Sequence, residues 1–230
     1  MAQATPVVFI PALLCDEEMY RAVIQALGDA VAAQVMMSPK PTLEASVADI
    51  LARAPERFAL VGTSYGGNLA MAVALAAPGR VSALWLMGCD PAGPQPGGPD
   101  LAGGLEATPD TVIDMLAGLV VHKDAAGPRA AFRVMAARVG AVAGAAQARA
   151  LAARPDVTAR LGTLPMPALV LWGRDDALAP VAVGRTLADA LPHAHFHQFA
   201  DCGHLPTLER PDAAAALFTE FLHDEMHHAH

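Results

Sequence analysis

Residues 60–68 run Leu60-Val61-Gly62-Thr63-Ser64-Tyr65-Gly66-Gly67-Asn68 (LVGTSYGGN). A serine stands between two glycines, each two positions away. An apolar run precedes it, and an alanine-rich stretch continues from it to Pro78. A buried strand that passes directly into a helix has this composition. Bulky side chains at positions 62 and 66 would crowd so tight a turn, and a glycine at 67 lets the helix approach the sheet. Such a turn presents the serine hydroxyl outward, at a helix N-terminus whose partial positive charge favours an anion. Gly and Ser also fill ordinary turns, so the reading depends on what the rest of the chain places beside Ser64.

The chain has 230 residues, 54% of them hydrophobic and 17% charged. That is enough for one well-buried core without disulfides or metals. Much of the apolar content is alanine, which suits helices packed closely on a central layer. The net charge is −8 and no Lys/Arg run is present, so nucleic-acid binding is not expected. The cysteines, Cys15, Cys89 and Cys202, are odd in number, far apart and without a C-x-x-C pair. They fit reduced thiols of a cytoplasmic protein. The apolar stretch PVVFIPALL (6–14) is short, broken by Pro11 and preceded by no basic segment, so neither a secretory leader nor a membrane span is expected. Near the C-terminus, His223, His227, His228 and His230 crowd together. Without a cysteine or a rigid spacing they fit a frayed tail better than a metal site, and no metal site is expected.

Short apolar runs separated by helical patterns indicate a parallel sheet with crossover helices. Strands are predicted at 6–10, 32–37, 58–62, 81–88, 167–173 and 194–200. Helices are predicted over 16–28, 43–53, from Ser64 to Pro78, over 181–191 and over 211–225. Leu43, Val47, Ile50 and Leu51 share one face of the second helix. The rhythm changes after the fourth strand: residues 90–104 are rich in Gly and Pro, and 109–160 read as three or four helices. An α/β core of residues 1–90 and 164–230 is thus interrupted by a helical insertion, 91–163. Ligand sites in open parallel sheets lie at the carboxyl ends of the strands, where this insertion begins and ends, so it is expected to act as a cap.

A serine hydroxyl needs a base. His204, in FADCGHLPTLERP, follows the last predicted strand and so reaches the same sheet edge as Ser64. His193, His195 and His197 lie along or beside that strand and are expected to be surface or strand-packing residues. The base needs a carboxylate to fix its tautomer. Asp175 and Asp176 both leave the strand in LVLWGRDDALAP, and Asp90 follows the fourth strand, so position alone does not choose among the three.

The motifs GTSYGG, WGRDDALAP and DCGHLPTLERP, in the order serine, acid, histidine, resemble those of the α/β-hydrolase superfamily over essentially the whole chain. In that family the acid occupies the fourth position of G-x-x-D, which implies Asp176. The resemblance further implies a Ser64-His204-Asp176 triad and an oxyanion hole formed by the backbone N–H groups of Tyr65 and Leu13. Pro11-Ala12 stands where the family usually carries His-Gly, and alanine adopts positive φ less readily than glycine, so this loop departs from the pattern. Cys15, close by, is expected to be packing filler. The chain opens at what would be the family's third strand, which implies a sheet of about six strands. No cofactor is required.

A serine nucleophile implies acyl transfer rather than dehalogenation. The chain is most similar to small bacterial serine hydrolases with a short helical cap. The expected activity is hydrolysis of a small carboxylic ester, thioester or lactone, free or carrier-bound. A lyase or C–C bond hydrolase with the same triad, and a non-catalytic binding protein of this fold, are the alternatives. Met115, Leu116, Leu119, Val120, Phe132 and Met135 repeat at helical spacing in the insertion. Met115, Leu119, Phe132 and Met135 are the candidate pocket residues, against self-packing of the insertion. His122 and Arg133 are candidates to meet an anionic group, against a solvated face.

Overall fold

The computed structural model describes residues 4–95 and 97–228. Its centre is one parallel six-stranded sheet: β1 (Thr5–Ile10), β2 (Val31–Val35), β3 (Phe58–Thr63), β4 (Val81–Met87), β5 (Ala168–Gly173) and β6 (Ala194–Phe199), in the order β2-β1-β3-β4-β5-β6. The six predicted strands are all present, each within two residues of its expected end. Burial follows position in the sheet. β3 and β5 are buried at every residue, whereas the edge strands β2 and β6 alternate between more and less buried positions. A strand covered on both faces is apolar throughout, and an edge strand shows period two. His195 and His197 fall on the exposed phase of β6.

Ten helices surround the sheet among the described residues: α1 (Arg21–Leu27), α2 (Leu43–Arg53), α3 (Tyr65–Ala76), α4 (Leu101–Ala107), α5 (Pro109–Leu119), α6 (Ala126–Ala152), α7 (Thr158–Leu161), α8 (Val181–Ala190), α9 (Pro206–Glu209) and α10 (Pro211–His228). α1 packs with α10, and α2 with α3. The second helix spans the predicted residues; Thr42 caps it, its Oγ1 accepting from the Ala45 N–H at 3.2 Å. The first differs from expectation. Residues 17–19 form a 3₁₀ turn, capped by Asp16 through the Glu18 N–H, before α1 begins. The last helix extends past 225 to His228, so the expected frayed tail is helical that far, and His230 lies outside the described residues.

Helices α4–α7 all lie between β4 and β5. α4 starts inside the Gly/Pro-rich stretch, where Asp100 caps it by accepting from the Gly103 N–H at 2.9 Å. α6 is broken at Gly140, whose φ of 79° departs from helical geometry. α4, α5 and α6 pack on one another, and α6 also touches α3 and the 3₁₀ turn after β1.

β1 pairs with β2 on one side and β3 on the other. The chain therefore turns one way after β1 and the opposite way after β3, and the loops leaving these strands diverge. Such a switch point opens a crevice at the strand ends. Pro11–Cys15 leaves β1 there and Ser64 leaves β3.

Candidate active site

Ser64 has φ 56° and ψ −118°. A non-glycine residue held at positive φ carries strain of order 1–3 kcal/mol, a state that persists where the surroundings enforce it. Those surroundings are backbone. A Cβ on Gly62 would overlap the Gly66 carbonyl, and one on Gly66 would overlap the Ile10 carbonyl and lie 2.6 Å from Pro11 O. A Cβ on Gly67 would lie 2.6 Å from Cys89 Cβ. The glycines at 62 and 66 thus bring the turn against itself and against the β1 loop. Below the turn, the Tyr20 hydroxyl donates to Ile10 O at 3.0 Å and pairs with Thr63 Oγ1 at 2.9 Å, tying the ends of β1 and β3 together.

His204 Nδ1 lies 2.7 Å from Asp176 Oδ2, and both side chains are almost fully buried. The other Asp176 oxygen accepts from the Leu178 and Ala179 N–H groups, each at 2.9 Å. Trp172, buried in β5, donates its indole N–H to Ala179 O at 2.7 Å and secures the same loop. Of the three carboxylates left open by position, only Asp176 meets His204. Asp175 is partly exposed and 3.8 Å from Arg174 Nε, and Asp90 accepts from the Ala92 N–H. His204 Nε2 is buried and has no hydrogen-bond partner among the described residues. A buried polar atom without a partner costs roughly 1–3 kcal/mol, and such atoms concentrate at functional sites.

Ser64 and His204 line one cavity of about 290 Å³, with Ala12 and Leu13 from the β1 loop. Ser64 Oγ makes no hydrogen bond with the imidazole; catalytic hydrogen bonds are often loose without substrate. The backbone N–H groups of Leu13 and Tyr65 have no acceptor among the described residues. At Tyr65 this follows from its place in the first turn of α3, where the N–H has no intrahelical partner.

The departure in the β1 loop resolves at a different residue from the one expected. Positive φ falls on Leu14 (60°), not on Ala12. The insertion holds that conformation. Leu14 N–H donates to Gln147 Oε1 at 3.1 Å, and the Leu14 side chain lies where a Cβ on Gly144 would intrude. Asp16 is gripped by Arg138, Nε to Oδ2 at 2.7 Å and Nη2 to Oδ1 at 2.8 Å. Burial raises the Asp16 pKa, but the hydrogen bonds from Arg138 and the Glu18 N–H, with the charges of Arg138 and Arg21, bring it below the usual carboxylate value. Cys15 is fully buried, which pushes its thiol pKa far up and leaves it inert, as expected of packing filler.

The pocket expectations need correction. Phe132, Leu116 and Val120 line the cavity, whereas Met115, Leu119 and Met135 do not. Met115 and Leu119 are 45% and 36% exposed, and Met135 is buried in the core. Leu116 and Val120, four apart, occupy the inward stripe of α5 and its end, which turns the residues one position earlier outward. Arg133 is exposed and pairs with Asp114 at 2.8 Å. The His122 ring accepts from the Asp124 N–H at 3.3 Å. His122, Asp175 and Asp201 approach within 4.8 Å of one another on the outer side, where Arg174 already pairs with both aspartates.

Sequence reasoning did not single out Glu209. Its carboxylate accepts from the Gly203 and Leu205 N–H groups flanking His204, and from the His122 N–H of the insertion at 2.8 Å. Its only signal was its place in the LERP segment. Arg138 and Gln147 carried no signal, because their partners are distant in sequence.

The family model for the alpha/beta hydrolase family matches residues 9–217. The chain belongs to that family. It is 34% identical over 188 residues to a 2-hydroxy-6-oxononadienedioate/2-hydroxy-6-oxononatrienedioate hydrolase of Cupriavidus pinatubonensis, covering 73% of this chain and 62% of that protein. The chain thus spans under two thirds of that relative. A pimeloyl-[acyl-carrier protein] methyl ester esterase of Aromatoleum aromaticum is 32% identical over 199 residues, 78% of this chain and 80% of that one. Among solved structures, the enol-lactonase from Burkholderia xenovorans superposes with a TM-score of 0.87 at 22% identity, over 96% of this chain and 92% of that one. That likeness concerns the fold. No described helix is long and apolar enough to cross a membrane.

Proposed function

We propose that this protein is a serine hydrolase that cleaves a small carboxylic ester, thioester or lactone through an acyl-enzyme on Ser64. The observation that carries the reading is the buried His204–Asp176 pair at 2.7 Å, with the far imidazole nitrogen unpartnered in the cavity that Ser64 lines. Asp176 accepts the Nδ1 proton and leaves Nε2 as the basic nitrogen. Ser64 Oγ attacks the carbonyl carbon as its proton passes to Nε2. The oxyanion is held by the Leu13 and Tyr65 N–H groups, each worth on the order of 3 kcal/mol to the transition state. Collapse breaks the bond to the leaving alcohol or thiol, which takes the proton from His204. Water then gives a proton to Nε2, attacks the acyl carbon, and releases the acid and free Ser64. The insertion acts as a cap, its Leu116, Val120 and Phe132 giving the acyl group an apolar wall. At about 290 Å³ the cavity sits at the lower end of small-molecule sites, which favours a short substrate.

The names of several relatives support a second reading, hydrolysis of a C–C bond in a 2-hydroxy-6-oxo dienoate by the same residues. A fluorophosphonate probe tests the shared core: it is expected to label the wild type and not Ser64→Ala. Equal labelling of both would end the proposal. p-Nitrophenyl esters from acetate to octanoate then separate the readings, since turnover on the short esters is expected only of the first.

A further inference from the structure

Among the described residues, Arg154 is the one arginine or lysine lining the cavity that holds Ser64 and His204, at its border with a second cavity that Arg154 and Asn68 also line. The rest of that wall is largely apolar, contributed by Leu101, Leu116, Val120, Phe132, Leu151 and Leu178. Arg154 follows the end of α6. Two of its nitrogens are committed to backbone carbonyls: Nε donates to Ala92 O at 3.1 Å and Nη1 to Leu151 O at 3.0 Å. Those bonds fix the plane of the guanidinium. Nη2 is left without a partner, and no carboxylate pairs with the group among the described residues. The other arginines near the site differ. Arg138 is spent on Asp16 and Arg133 on Asp114.

A half-buried guanidinium without a counter-ion has lost hydration and gained no ion pair. Burial accordingly lowers the Arg154 pKa, an effect that the charge of Asp90 opposes. Arginine stays charged under these conditions, and no direct ion pair among the described residues neutralises it. Asp90 lines the same cavity, but its carboxylate is turned to the Ala92 N–H rather than to the guanidinium. An anion reaching Nη2 would supply the direct ion pair that Asp90 does not make, as a charge-assisted hydrogen bond beside a largely apolar wall.

We infer that Arg154 anchors a carboxylate of the substrate, so that the natural substrate is an acyl compound with a free carboxylate remote from the scissile carbonyl. This rests on the proposed serine hydrolase reading and deepens it. The apolar residues would hold the connecting chain, and the carboxylate would set how far the carbonyl reaches toward Ser64. A neutral acyl group of the same length would leave the guanidinium unpaired and would bind more weakly.

The test compares mono-p-nitrophenyl succinate, glutarate and adipate with neutral p-nitrophenyl esters of matching length. For at least one length, wild type is expected to show a kcat/KM at least tenfold higher on the anionic ester. Arg154→Gln is expected to reduce that ratio at least tenfold, chiefly through KM, and Arg154→Lys to retain most of it. A wild-type ratio near one, or a ratio untouched in a folded Arg154→Gln, overturns the assignment. If Arg154→Gln does not fold, the wild-type ratio and Arg154→Lys decide. Calorimetric titration of glutarate monomethyl ester into Ser64→Ala separates this inference from the reading beneath it, since binding needs no turnover. Binding weakened at least tenfold in Ser64→Ala/Arg154→Gln supports the anchor even if the esterase reading fails. Undetectable binding to Ser64→Ala, or binding equal in both proteins, overturns it even if fluorophosphonate labels Ser64.

Discussion

Arg138 and Asp16, 122 positions apart, meet in a two-point contact with N–O distances of 2.7 and 2.8 Å. One belongs to the helical insertion and the other to the loop that carries Leu13. Together with the Gln147–Leu14 bond, this contact makes the shape of the β1 loop, which carries the proposed oxyanion donor Leu13, depend on the insertion. A pair whose arginine is 48% exposed contributes little to global stability, about 0–1 kcal/mol. Its effect on rate should be larger, because displacement of the proposed oxyanion donor would act on the transition state. Arg138→Met is therefore expected to lower kcat at least tenfold with a Tm change of only a few degrees. A kcat within twofold of wild type would show that the loop holds its shape without the clamp.

The same pair predicts an acid limit. The Asp16 carboxyl sits below its unfolded value, near 3.9. A depressed pKa contributes stability that is fully present above the unfolded value and is lost as pH falls through the folded one. The stability difference between wild type and Asp16→Asn should thus be constant at neutral pH and shrink once pH drops below about 4. Urea midpoints of both proteins across that range measure it. A difference that grows on acidification would contradict the sign.

Much of this was legible in the sequence for a physical reason. Strands buried on both faces have no polar phase, so β1, β3, β4 and β5 stand out as continuous apolar runs. The turn at Ser64 has so little room that its neighbours must be glycine, which makes it visible from five residues. The residues that hold the site in place are not visible in this way. Arg138, Gln147 and Glu209 act through contacts that only the folded chain creates, and side-chain periodicity is silent about a partner 122 positions away. The inward face of α5 lies one residue from the expected one, a shift that the sequence hides because Met115 and Leu116 are both apolar.

The closeness of the elbow to the β1 loop leads to a steric test. A methyl group on Gly66 would overlap the Ile10 carbonyl, whereas one on Gly79 would meet nothing within 4 Å. Forcing a group into packed backbone costs about 1–3 kcal/mol, or several degrees of Tm in a chain of this size. Gly66→Ala is expected to melt about 3–10 °C lower and to lose most of its activity. Gly79→Ala should match wild type in both. Equal melting of the two variants would mean that the approach of Ser64 to the β1 loop is not fixed by Gly66.

Glu209 accepts from N–H donors with both carboxylate oxygens, at 2.8 to 3.2 Å. In Glu209→Gln one acceptor becomes an NH₂ that faces an N–H. A donor facing a donor leaves a hydrogen bond unmade at a cost of about 1–3 kcal/mol. Because two of the donors flank His204, the loss should appear in kcat as well as in thermal stability. A variant that is destabilised yet turns over at the wild-type rate would limit Glu209 to holding the fold.

The adjacent aspartates separate a charge that acts on the imidazole from one that merely lies near it. Asp176 is buried and 2.7 Å from His204 Nδ1, whereas Asp175 is partly exposed beside Arg174. In Asp176→Asn the new amide can donate to Nδ1. The ring then carries its proton on Nε2, the atom that receives one from Ser64 in the proposed mechanism. A trapped tautomer of this kind lowers kcat by about 10⁴-fold, the scale of the corresponding change in serine proteases. The Asp176 oxygen that accepts from the Leu178 and Ala179 N–H groups survives in asparagine, so the loop should keep its shape and Tm should change little. Asp175→Asn alters only a partly exposed contact, and its kcat should stay within about threefold. If Asp175→Asn proved the inactive one, the carboxylate seen against His204 would not be the one that orients it.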